Sequence, residues 1–290
     1  MNVFPTKILL ATDGSTDAEL AAATAVGLAN GTGSELHLVH VGPVVPAHFE
    51  STDVEPARLQ QQAGDLLDEQ VRKVEGLGGN VAKSHLRMGG AAEEVIVLAD
   101  QIGAGLIVSG SRGRGRMKRL VMGSVSDTVV RHAHCPVLMV RGKPTVFPAR
   151  ILVATDGSEE AAAAMGSALD LAAKTGSRLD LIHVGMLEPV YHPERHGYPL
   201  LYEKVREEAQ RLLDEQVEKV EASGGTVERA ILRIGRPDEE IVVAAEEMDA
   251  GLVVIGNRGL GGVRRALMGS VSDSVVRHAN CPVLVVRKEG

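Results

Sequence analysis

The stretch "KILLATDGS" at residues 7–15 returns as "RILVATDGS" at residues 150–158, an offset of 143. A continuous apolar run closed by Asp-Gly fits a strand buried on both faces, the kind a parallel sheet needs. The rest of the chain repeats in step with it. "HLVHVG" (37–42) returns as "DLIHVG" (180–185) at the same offset. "LLDEQV" (66–71) returns at 212–217, an offset of 146, so the second copy carries three more residues between these points. "MGSVSDTVVRHAHCPVLMVR" (122–141) and "MGSVSDSVVRHANCPVLVVR" (268–287) differ at three positions in twenty. The chain is a duplication, and a repeat on this scale sets the architecture. Domains at 1–142 and 150–290 follow, joined by a linker at 143–149 that Pro144 and Pro148 stiffen.

Within the first copy, strand and helix patterns alternate. "KILLAT" is a strand, and Thr16 to about Asn30 an Ala-rich helix stopped by Gly-x-Gly. "ELHLVHV" is the second strand, and Pro56 to Leu77 an amphipathic helix ended by Gly78 and Gly79. "VAKSHLRM" is the third strand, Ala91 to Ile102 a helix, and "GLIVSG" the fourth strand. A glycine-rich loop follows, then a helix from Ser124 to about Ala133, and "PVLMV" as the last strand. The order predicts an α/β protein of two tandem doubly wound domains, each a five-stranded parallel sheet with helices on both faces, Rossmann-like in its winding.

Composition narrows the partners. With 290 residues the chain exceeds most single cores, which agrees with two domains. Three Phe, three Tyr and no Trp leave the core to Val, Leu, Ile and Ala, and leave little for stacking exposed bases. A net charge of -7 argues against a nucleic-acid or anionic-membrane surface. The apolar run Ile8–Ala11 is too short for a secretory signal, and no window approaches a membrane span. The two cysteines, Cys135 and Cys281, occupy equivalent places in the repeat. Each precedes a proline at a strand start and reads as a small buried residue in a reducing cytoplasm.

The loop "GSRGRGRMKRLVMGS" (110–124) and its counterpart "GNRGLGGVRRALMGS" (256–270) share one glycine framework. In a doubly wound sheet, ligands bind beyond the carboxyl ends of the strands where the winding reverses. With strands one and four as central neighbours, Asp13 and Gly110 face that crevice. Gly110 and Gly113 permit close backbone approach. Gly123 and Ser124 open a helix whose bare N–H groups favour an anion. An acidic residue at one end suits ribose hydroxyls, so the crevice reads as a nucleotide site. Phosphates held by N–H groups call for charge compensation, which points to Mg2+ accompanying the nucleotide. A Walker loop is excluded, since the one Gly-Lys, Gly142-Lys143, precedes a proline, and "ATDGSTDAE" is no dinucleotide fingerprint.

Gly-x2-Gly-x9-Gly-Ser, with "ATDGS" after the first strand and "HCPVLMV" at the end, resembles the universal stress protein family over nearly the whole chain. The resemblance implies a fold like that of the adenine nucleotide alpha hydrolases and membership of the family's ATP-binding branch. It implies Ala11, Asp13 and Val41 around adenine and ribose, and Gly110, Arg112, Gly113, Gly123, Ser124 and Val125 around the phosphates. In the second copy it implies Ala154, Asp156 and Val184, then Gly256, Arg258, Gly259, Gly269, Ser270 and Val271. It further implies a cytoplasmic, nucleotide-dependent stress-response regulator that forms a homodimer and answers to a regulatory protein partner. The spacers differ at Arg114 against Leu260 and Arg116 against Gly262, which predicts unequal affinities.

Plainer readings stand beside these. The glycines can serve turns alone, and the aspartates of "TDGS" can be turn formers or helix caps. The cations of "RGRGRMKR" are explained by a triphosphate as readily as by a polymer. "RHAHC" suggests a metal, but His134 becomes Asn280 in the second copy. The carboxylates of "DLLDEQVRKVE" read as a solvated helix face. An enzyme on the same fold is the rival: a slow ATPase, or a protein that phosphorylates itself on Ser124 and Ser270. Neither a P-loop lysine nor a catalytic constellation is visible for it.

Overall fold

The computed structural model describes residues 6–44, 56–113, 122–142, 149–187, 198–260 and 268–288. The chain divides into two compact units, one within residues 2–147 and one within 148–290. All but Ala149 of the expected linker lies outside the described residues.

The N-terminal unit runs β1 (Lys7–Ala11), α1 (Thr16–Thr32), β2 (Glu35–Gly42), α2 (Pro56–Gly76), β3 (Val81–Met88), α3 (Ala91–Ile102), β4 (Leu106–Gly110), α4 (Ser124–His132) and β5 (Val137–Val140). Its strands are all parallel, in the order β3-β2-β1-β4-β5. The winding therefore reverses between β1 and β4. Helices α1 and α2 pack together, as do α3 and α4, which covers the two faces of the sheet. Ile8, Leu9 and Leu10 are wholly buried, as a strand covered on both faces requires. Register pairs Ala11 with Val39 on β2 and with Ser109 on β4, so the carboxyl ends of the two central strands are level.

Local chemistry fixes the helix ends. Ser15 caps α1 by accepting from the Ala18 N–H at 3.3 Å. The helix runs two residues past the expected Asn30, because Gly33 (φ 70°), not Gly31, takes the left-handed capping position.

The C-terminal unit repeats the plan with β6 (Arg150–Ala154), α5 (Glu159–Thr175), β7 (Arg178–Met186), α6 (Tyr198–Ala222), β8 (Arg229–Gly235), α7 (Pro237–Glu247), β9 (Leu252–Gly256), α8 (Ser270–His278) and β10 (Val283–Val286). Its strand order is β8-β7-β6-β9-β10, again parallel. Ser158 caps α5 as Ser15 caps α1. One expectation needs correcting. Cys135 and Cys281 are half-buried, since each stands at the mouth of its strand before full burial begins.

Candidate functional site

A cavity of about 290 Å3 opens at the reversal point between β1 and β4. Ala11, Asp13, Val41, Gly110, Arg112, Gly113, Gly123, Ser124 and Val125 all line it. Every candidate named from the first repeat is thus gathered around one space. Thr12, His40 and Ser126 line it as well.

Each wall has a local cause. After β1 the chain turns sharply, with the Asp13 Oδ1 accepting the Ser15 N–H at 3.0 Å and the Thr12 hydroxyl accepting the Gly14 N–H at 3.3 Å. Asp13 is therefore a turn former whose carboxylate also faces the cavity. Gly110 packs against α1: a β-carbon there would stand 2.6 Å from the Asp17 carbonyl carbon. A β-carbon on Gly113 would stand 2.5 Å from the Asp13 Oδ2. The loop is pinched at its base, where the Gly123 N–H donates to the Ser111 carbonyl at 2.9 Å. The Ser126 hydroxyl donates to the Gly110 carbonyl at 2.8 Å.

Gly123 differs from the other two glycines. Its backbone is extended (φ −67°, ψ 148°), a conformation open to any residue. A β-carbon there would meet nothing nearer than 3.5 Å. Among the described residues, nothing requires glycine at this position. As the residue before α4 it also supplies no side-chain cap, so the first N–H groups of the helix keep their hydrogen-bonding capacity. Gly269 before α8 has the same extended backbone and likewise offers no cap.

Several contacts around this cavity escape sequence reasoning. Asp17, in the first turn of α1, holds Arg112 with both oxygens, at 2.9 Å from Nε and 3.0 Å from Nη2. It also accepts the Ser111 hydroxyl at 2.7 Å. This hydrogen-bonded carboxylate raises the pKa of the Arg112 guanidinium against the opposing cost of burial. His40 donates from Nδ1 to the Thr12 carbonyl at 2.8 Å, and His183 does the same to Thr155. Gln70, buried on α2, accepts the Thr12 hydroxyl at 3.2 Å. The repeat signals were present: "LLDEQV" and "HVG" recur, with Gln70 and His40 inside them.

In the C-terminal unit, the Asp156 Oδ1 accepts the Ser158 N–H at 3.0 Å and its Oδ2 accepts the Leu260 N–H at 2.9 Å. Gly259 presses on the same carboxylate, and the Gly269 N–H donates to the Asn257 carbonyl at 2.8 Å. Ala154 and Val184 are buried at the ends of β6 and β7, Gly256 ends β9, and Ser270 and Val271 open α8. Arg114, Arg116 and Gly262, the basis for expecting unequal affinities, lie outside the described residues. His134 is exposed, with Asp100 3.9 Å away. Among the described residues no three His, Cys, Asp or Glu side chains gather as a metal site, and no helix is long and apolar enough to cross a membrane.

The model of the universal stress protein family matches residues 5–141 and again residues 149–287. The chain belongs to the universal stress protein family. This tandem member is 33% identical over 270 residues to a universal stress protein of Mycobacterium tuberculosis strain H37Rv, across 87% of this chain and 86% of the other. It is 35% identical over 147 residues to the Bacillus subtilis universal stress protein YxiE, across 48% of this chain and 98% of that one. The crystal structure of a universal stress protein from Archaeoglobus fulgidus superposes with a TM-score of 0.72 at 25% identity, covering 97% of this chain and 96% of that one.

Proposed function

We propose that each unit of this universal stress protein binds one ATP, and that occupancy regulates what the protein engages during stress. The observation that carries this is Gly123. The fold leaves room for a side chain there, yet the chain places glycine at an uncapped helix start on a cavity wall. A glycine that no described residue demands is what an approaching phosphate does need, together with a helix start lacking a side-chain cap and a helix dipole. Asp13 at the opposite end suits ribose hydroxyls. The cavity volume lies just under the usual range for small-molecule sites, about 300–1,000 Å3.

The residues present fit the nucleotide. Ala11, Asp13 and Val41 would take the nucleoside; Gly110, Gly113, Gly123, Ser124 and Val125 would take the phosphates, with Arg112 beside them and its side chain held by Asp17. Mg2+ would arrive on the triphosphate, held by phosphate oxygens and water as it commonly is, with Asp13 the one carboxylate among the described lining residues. The second site uses Ala154, Asp156, Val184, Gly256, Arg258, Gly259, Gly269, Ser270 and Val271. A second copy of the chain and a regulatory protein in the cytoplasm are the partners that such a nucleotide-set surface would serve.

The test is to purify the protein without added nucleotide, denature it and identify what is released. ATP at nearly two per chain supports two holding sites. ADP or AMP favours an enzyme on the same fold, which time-dependent ADP release from added ATP would then establish, with Ser124 and Ser270 the first residues to examine for phosphate. Nothing released, with no change in melting temperature on adding Mg-ATP, overturns the proposal.

A further inference from the structure

The two repeats differ where their loops leave the sheet. In the N-terminal unit, Asp17 is almost fully buried and receives three hydrogen bonds from the loop, two from Arg112 and one from Ser111. A fourth bond runs the other way along the same seam, from the Ser15 hydroxyl to the Arg112 carbonyl at 3.1 Å. Residues 110–113 are thereby fastened to the start of α1 whether or not anything occupies the cavity. The Arg112 side chain is committed to that task.

The second repeat has Glu160 where the first has Asp17, and Asn257 where the first has Ser111. Glutamate sets the carboxylate one methylene further from the backbone, and no hydrogen bond joins Glu160 to Arg258. The Arg258 Nε is buried and has no partner among the described residues, whereas the equivalent Nε of Arg112 is bonded to Asp17. A buried guanidinium N–H without an acceptor is costly and is relieved by any anion that reaches it.

We infer that the two sites are unequal by construction, an inference that rests on the nucleotide reading. Asp17 is a positioning residue that holds Ser111 and Arg112 in place beside the cavity of the first site. Arg258 is a direct ligand for the phosphates in the second. The first site meets the anion with Ser111 and Arg112 already fastened to the start of α1, and preorganisation of this kind favours affinity. The second site lacks that Asp–Arg fastening, and its affinity depends on one charge-assisted contact.

The experiment is calorimetric titration of the full chain with Mg-ATP, one site at a time. Ser124→Asp closes the first site and Ser270→Asp the second, since a carboxylate at a helix start repels phosphate while suiting the helix dipole. The first site is expected to bind about tenfold more tightly than the second, consistent with one strong charge-assisted contact. The paired change Glu160→Asp with Asn257→Ser should tighten the second site by a similar factor, a gain that structural damage cannot imitate. Arg258→Gln in the unaltered second site should weaken it about tenfold and flatten its dependence on salt. Equal affinities in the two sites, or a paired change that tightens nothing, overturn the inference and leave ATP binding standing. No binding in either form overturns both.

Discussion

The Oδ2 of Asp13 occupies the place beside Gly113 where a side chain would begin, 2.5 Å from the position of a β-carbon. Turn and loop are therefore fitted to each other at van der Waals contact. Gly113→Ala is expected to destabilise the N-terminal unit by about 1–3 kcal/mol, the range for overpacking. Combined with Asp13→Ala, which removes the opposing oxygen, the same alanine should cost less than it does alone. Thermal or urea denaturation of the three variants measures the coupling.

Gly110 and Gly123 should respond differently to the same substitution. A β-carbon on Gly110 meets backbone of α1 at 2.6 Å, and backbone cannot rotate away. Gly110→Ala is expected to cost about 3 kcal/mol or more, at or above the top of the overpacking range. Gly123→Ala meets only ordinary contacts and should stay within about 1 kcal/mol of the parent. On the proposed function, it should nonetheless abolish the rise in melting temperature expected from Mg-ATP at the first site. A Gly123→Ala protein that keeps its full response to Mg-ATP contradicts the role given to that glycine.

His85 makes the N-terminal unit sensitive to acid. Its Nε2 lies 3.0 Å from the His37 Nδ1, with the rings stacked. Burial lowers its pKa from the ordinary 6.5, and His37, Lys83 and Arg87 lower it further by repulsion. Glu35 lies on the other side of His37, 3.5 Å from its Nε2. The unfolded chain therefore takes up this proton before the folded one does. The stability concerned is fully present above pH 6.5 and is lost as pH falls from there toward the folded-state value. Denaturant midpoints of the N-terminal unit should drop across that window. His85→Ile, which copies Ile231 of the second repeat, should flatten the drop.

Asp180 occupies the place of His37 in the second repeat, and Arg150 that of Lys7. Asp180 is completely buried and accepts from the Arg150 Nη1 at 2.7 Å. Arg150→Met strands that carboxylate, and the expected loss is about 3–5 kcal/mol. Arg150→Met with Asp180→Leu should recover much of it, because no charge is then left buried. Urea unfolding of the single and double variants decides.

The order of elements was legible because β1, β4 and their repeats are apolar without alternation, which only a doubly covered sheet explains. The place of the cavity followed from the reversal between β1 and β4, and the first-repeat candidates meet around it because three separate loops end there. What stayed hidden are bonds between distant residues. Asp17 reads in sequence as a complement to the helix dipole, and nothing local shows that its partner is Arg112, 95 positions on. Gln70 sits among the carboxylates of an exposed helix face, yet its own position turns inward to Thr12. Polar pairing of this kind depends on tertiary register, and periodicity carries no record of it.

A capping side chain at a helix start is worth about 1 kcal/mol, and the chain forgoes it at both Gly123 and Gly269. A bound anion would make good that omission and add its own binding energy to the folded state alone. The loaded molecule would then outlast the empty one against unfolding and proteolysis. In a cell whose ATP falls, the copies that empty first would be the first destroyed, and abundance itself would follow the energy supply.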